Sequence, residues 1–102
     1  HNYWIEDDIL YVAMYGGGVR IVDISGELLG DLFRQGREIG YIMTGTSDAY
    51  IPNATMAWGA QLYKGYVFYS DWNSGLGSSK VSELKPDNSK ANQYINKTPI
   101  ID

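Results

Sequence analysis

Residues Ile9 to Ser25 read ILYVAMYGGGVRIVDIS, and this stretch decides the fold. Seven apolar residues, Ile9 to Tyr15, run into Gly16-Gly17-Gly18. A short continuous apolar run closed by a turn signal predicts a strand buried on both faces. The three glycines supply positive φ at little steric cost, as a tight hairpin turn requires. Residues 19–24 (VRIVDI) then form the returning strand, and Ser25-Gly26 ends it. Upstream, residues 2–5 (NYWI) read as a strand joined to this hairpin through the polar turn Glu6-Asp7-Asp8. Downstream, Leu28, Leu29, Leu32 and Phe33 have helical spacing within residues 27–35, but Gly30 interrupts it, so a short turn or an irregular strand is expected there. Residues 38–43 (EIGYIM) complete a set of four strands.

A weaker copy of this pattern follows residues 44–55 (TGTSDAYIPNAT), a loop rich in Thr, Ser, Asn, Gly and Pro. Strands are expected at 57–62, 66–71 and 76–84, with turns at Tyr63-Lys64-Gly65 and Trp72-Asn73-Ser74-Gly75. At an offset of 57 positions Ile5 meets Leu62, Tyr11 meets Phe68, Tyr15 meets Trp72 and Gly18 meets Gly75. The expected organisation is therefore a first unit at 1–43, a connecting loop at 44–55, a second unit at 56–84 and a polar, extended tail at 85–102. Each unit has the size and strand order of one blade of a β-propeller. The fold expected is all-β, with about two antiparallel four-stranded blades belonging to a larger ring. Two blades leave apolar faces open, because stacked repeats need about three units for stability. The opening at His1, without Met and directly into a strand, reads as part of a longer or processed polypeptide.

Composition narrows the function. Nine Tyr, three Trp and two Phe among 102 residues, with twelve Gly, favour sheets and tight turns. A net charge of −4 and scattered Lys and Arg disfavour nucleic acid and anionic membranes as partners. The absence of cysteine excludes disulfides, thiolate metal sites and cysteine nucleophiles. No apolar run approaches the ~20 residues of a transmembrane helix.

The segment Gly18 to Ser25, GVRIVDIS, resembles the signature of LVIVD-repeat proteins of the choice-of-anchor B type, with Val19-Arg20-Ile21-Val22-Asp23 in the eponymous pentad. Leu62 to Leu76 (LYKGYVFYSDWNSGL) is similar to the terminal repeat of such proteins, and His1-Asn2-Tyr3-Trp4 to the innermost strand of a blade. The departure is Gly77-Ser78-Ser79, where the family carries a bulky apolar run. The resemblance covers roughly residues 1–84. It implies secreted or surface-anchored bacterial β-propellers, hence an extracytoplasmic location, with no catalytic residues attached to the motif. Asp23 and Ser25 read as structural, because an Asp-x-Ser at a strand end bonds nearby backbone N–H groups.

Candidate site residues are few. His1 is the only histidine, so no multi-histidine metal site exists and no catalytic set is expected. If the first strand lines a central channel, His1, Asn2 and Trp4 face a pocket. The carboxylates of Glu6, Asp7 and Asp8 could bind a cation, but adjacent acids in a turn are more often solvated. Asp71-Trp72-Asn73-Ser74-Gly75 resembles a fragment of a calcium loop, but without a bidentate Glu at the required spacing it reads as a hairpin turn. The many aromatics read as core between blades. If a subset is exposed, Tyr50, Trp58 and Trp72 are the candidates, since they lie in or beside loops. Asn53-Ala54-Thr55 and Asn96-Lys97-Thr98 match the N-glycosylation pattern. The function expected is non-enzymatic, without cofactor or metal: binding other protein subunits, or the remaining blades of the same protein. A carbohydrate- or small-ligand-binding propeller is the alternative, and a propeller hydrolase or lyase the third reading.

Overall fold

The computed structural model describes residues 1–81. The expected tail at 85–102, the end of the expected strand at 76–84 and the Asn96-Lys97-Thr98 pattern lie outside the described residues. Within them the chain is all-β. The strands are β1 (Tyr3–Glu6), β2 (Ile9–Ala13), β3 (Val19–Asp23), β4 (Glu38–Ile42), β5 (Ala57–Tyr63), β6 (Tyr66–Asp71) and β7 (Gly75–Lys80). They form two antiparallel sheets, a four-stranded sheet in the order β1-β2-β3-β4 and a three-stranded sheet in the order β5-β6-β7. Residues 27–35 contain no helix and fold as turns, as Gly30 at φ +96° requires.

The turns follow from local chemistry. The β1–β2 connection has Asp7 and Asp8 at φ +52° and +59°, and the β5–β6 connection has Lys64 and Gly65 at +52° and +80°. Positive φ at both central positions marks the primed turn that matches strand twist in a two-residue hairpin. These two turns lie 57 positions apart, as do Gly18 and Gly75, both with positive φ. Gly18 has a second constraint: a Cβ there would sit 2.2 Å from the Ile42 carbonyl oxygen on β4.

The expectation that β2 is buried on both faces is corrected. It alternates, with Ile9, Tyr11 and Ala13 buried and Leu10 and Val12 half-buried between them, and β3 alternates in register with it. The buried set packs against Ala57, Ala60 and Val67 of the second sheet, with Leu62, Tyr69 and Ile42 at the margin. β5 lies against the first sheet. Tyr15 exchanges both backbone hydrogen bonds with Ala57, and the Asn2 N–H donates to the Trp58 carbonyl. The core is thus the layer between the sheets, and the other face of each sheet points outward.

Polar side chains hold the long connection between β3 and β4. Arg37 is buried, and its guanidinium donates to the carbonyls of Asp23, Ser25 and Glu27 while pairing with the Asp23 carboxylate at 3.5 Å. Asp23 Oδ1 also accepts the Ser25 N–H at 2.9 Å. Gln35, fully buried, donates to the Glu27 carbonyl and accepts from the Leu29 N–H. A buried guanidinium is tolerated only when its donors are matched, and these carbonyls match them. At Gly77 on β7, a Cβ would lie 2.6 Å from the Tyr69 ring. Gly77 is therefore the residue over which Tyr69 lies.

Candidate functional site

The most organised polar cluster lies where the β6–β7 turn meets the loop at 44–56. Asp71 ends β6 and is buried. Its Oδ1 accepts the backbone N–H groups of Asn73 at 2.7 Å and Ser74 at 2.8 Å. Its Oδ2 accepts the Met56 N–H at 2.8 Å and the hydroxyl of buried Thr44. Burial pushes this carboxyl upward, but the hydrogen bonds from Thr44, Met56, Ser74 and Asn73 outweigh burial and hold it below its ordinary value of 3.8. Two residues on, the Asn73 amide donates to the Ile51 and Ala54 carbonyls, and its oxygen accepts the Ile51 N–H at 2.7 Å. Asp71 and Asn73 thereby clasp the loop to the turn.

This clasp presents aromatic rings. Trp72 sits between the two clasping residues and is 74% exposed. Its ring stacks on Trp58 at a centroid distance of 4.8 Å and an interplanar angle of 23°, and Trp58 stacks in turn on His1 at 3.9 Å and 23°. Tyr15 meets Trp58 edge-on at 5.7 Å, and its hydroxyl lies 3.3 Å from His1 Nδ1. Tyr50, 93% exposed, is held through its N–H to the Asn73 carbonyl.

Of the residues singled out from the sequence, His1, Trp58 and Trp72 come together in one stack, and Tyr50 reaches the same region through the clasp. Trp58 is half-buried on β5, one residue in from the loop that precedes the strand. Asn2 is tied to the stack through its backbone, its N–H donating to the Trp58 carbonyl, while its Oδ1 accepts the Tyr3 N–H; Trp4, on β1 opposite Tyr11, donates from Nε1 to Glu6. Glu6, Asp7 and Asp8 lie at the opposite hairpin turn, where Glu6 and Asp7 help burial raise the Tyr11 phenol above its ordinary value of 10.0. Among the described residues no group of three or more His, Asp or Glu is placed to hold a metal ion. The oxygens of Asp71, which a calcium loop would turn toward a cation, accept from the turn and the loop instead.

The sequence reading missed Thr44, Gln35 and Arg37, and took Asn73 only as part of a hairpin turn. The near half of the Asp71 clamp was legible as a turn, because the run Asp71-Trp72-Asn73-Ser74-Gly75 carries Asp, Asn, Ser and Gly, which favour side-chain-to-backbone turns. The far half depends on Thr44 and Met56, which lie 27 and 15 positions away. What the arrangement offers chemically is an exposed indole face on a turn held by hydrogen bonds. No family model, curated protein or solved structure matches this chain.

Proposed function

We propose that the two sheets are neighbouring blades of a β-propeller of the LVIVD-repeat kind, extracytoplasmic and non-enzymatic, whose work is to bind protein: the remaining blades of its own ring and a partner subunit. One observation carries this reading. Each sheet turns an apolar face away from the shared core. On the first sheet that face includes Tyr3, Ile5 and Tyr41, all more than half exposed. On the second it includes Tyr63, Tyr66, Phe68 and Leu76. Large apolar side chains gathered on one exposed face mark contact with another protein surface. A sheet packs best against another sheet at about 10 Å, with the inner faces interdigitating.

Three further points support the reading. The paired turns and glycines recur 57 positions apart. The GVRIVDIS segment places its Asp and Ser in a buried strand-end clasp. The buried carboxylates of Asp23 and Asp71 are engaged by internal donors, which suits a scaffold rather than acid–base catalysis.

The test is the intact and native mass of the polypeptide that carries these residues. The reading predicts a particle several times 11.4 kDa, through a longer chain or through association. A monomer of 11.4 kDa that remains monomeric at high concentration would overturn it.

A further inference from the structure

A different observation leads beyond protein packing. Trp58 and Trp72 stack with His1 into a column of three near-parallel rings, with half-buried Trp58 in the middle and exposed His1 and Trp72 at the two ends. Trp72 contributes the open face, and its backbone is fixed on both sides by the Asp71 and Asn73 hydrogen bonds. We propose that this face of Trp72 is a binding platform for a neutral sugar ring, with Tyr50 and the Thr46-Ser47-Asp48 segment of the clasped loop supplying polar partners for its hydroxyls.

Geometry and charge select this ligand. At the Trp72 end the column presents a single flat indole face, whereas an onium cation is held by several faces converging on it. A flat, apolar C–H face therefore fits better than a spherical cation. The electron-rich face of an indole attracts the weakly positive C–H hydrogens of a pyranose. Anionic ligands are disfavoured, since neither the loop at 44–56 nor the turn at 71–75 contains Lys or Arg, Asp48 lies in the loop, and the chain carries −4 overall. Thr46, Ser47, Asp48 and Tyr50 are all exposed, as groups that bond sugar hydroxyls must be. Preorganisation helps, because the clasp has already ordered the loop and the turn. This site does not depend on the outer sheet faces, so it stands or falls separately from the propeller reading.

The test is titration of the isolated protein with maltohexaose, cellohexaose and xylohexaose, each to about 10 mM and read by tryptophan emission and by saturation-transfer NMR. That ceiling detects dissociation constants near 1 mM, about −4 kcal/mol. At least one hexasaccharide is expected to bind. Trp72→Ala is expected to weaken it at least about tenfold, the lower range of a lost stacking contact. Trp72→Tyr, which keeps a ring face, is expected to stay within about threefold. Trp72 is mostly exposed, so an unchanged unfolding midpoint will show that the variants fold. No response to any of the three sugars would overturn the proposal. So would equal binding by Trp72→Ala, or binding of a proline decamer in place of all three sugars.

Discussion

Removing the Asp71 carboxylate separates the two halves of the clasp, and the consequence can be worked from its four donors. Two of them, the N–H groups of Asn73 and Ser74, belong to a partly exposed turn and can rehydrate. The other two, the buried Thr44 hydroxyl and the partly buried Met56 N–H, lose their acceptor. Each stranded donor costs about 1–3 kcal/mol. Asp71→Ala is therefore expected to lower unfolding stability by about 3–4 kcal/mol, and Asp71→Asn, which keeps one acceptor oxygen, by about 2 kcal/mol. Urea denaturation followed by tryptophan emission measures both, because Trp58 and Trp72 stand at the clasp. The pH dependence adds a second reading. The folded carboxyl titrates below its ordinary value of 3.8, so its stabilising contribution is complete above that value. That contribution is lost as the pH falls from there through the folded value. Asp71→Asn should flatten this acid limb and leave the slope at neutral pH unchanged. A loss below about 0.5 kcal/mol for Asp71→Ala, the level of an ordinary surface substitution, would refute the clasp. An acid limb identical in Asp71→Asn would refute the electrostatic part.

Three further comparisons of substitutions test the fold. Gly77→Ala places a methyl group against the Tyr69 ring and is expected to cost about 1–3 kcal/mol by thermal or urea unfolding; Tyr69→Ala should relieve part of that cost in a double-mutant cycle. Gly18→Ala and Gly75→Ala occupy corresponding positions but should differ. Both carry the about 1–2 kcal/mol strain of a left-handed residue, and Gly18→Ala adds a clash with the Ile42 carbonyl, whereas the space at Gly75 is open. Comparable losses at the two sites would contradict the β3–β4 contact. Arg37→Met strands the carbonyls of Asp23, Ser25 and Glu27 and leaves Asp23 without its cation, for an expected loss of about 3–5 kcal/mol. Arg37→Lys should recover only a fraction of it, because an ammonium cannot span three carbonyls as a planar fork does.

The strand plan was legible because it rests on short-range signals. The apolar run at Ile9, the glycines at 16–18 and the 57-position correspondence located six of the seven described strands to within two residues at each end, and the start of the seventh, which ends at Lys80 rather than at the expected residue 84. The same signals overstated the burial of β2, because an all-apolar run does not reveal which face meets a neighbour. The site was legible in part. Trp58 and Trp72 stood out as aromatics beside loops, and His1 as the lone histidine of the first strand, but their joining into one stack depends on how the two sheets pack. Trp4 was expected with His1 and Asn2, yet its ring stands on β1 opposite Tyr11, away from the stack. Arg37 and Gln35 carried no sequence signal of burial. Charged and amide side chains ordinarily lie at the surface, and only the carbonyls of the β3–β4 connection make burial favourable.

The central claim is that the outer faces of both sheets are covered in the native protein. Hydroxyl-radical footprinting of the native material, read residue by residue by mass spectrometry, tests it most directly. Tyr50, 93% exposed here, serves as the internal standard for an uncovered ring. The account predicts that Tyr3, Tyr41, Tyr63 and Phe68 are modified far more slowly than Tyr50, and that denaturation removes the difference. Modification of those four residues in proportion to their exposure in the isolated two-sheet unit would show that nothing covers them, and would contradict the account.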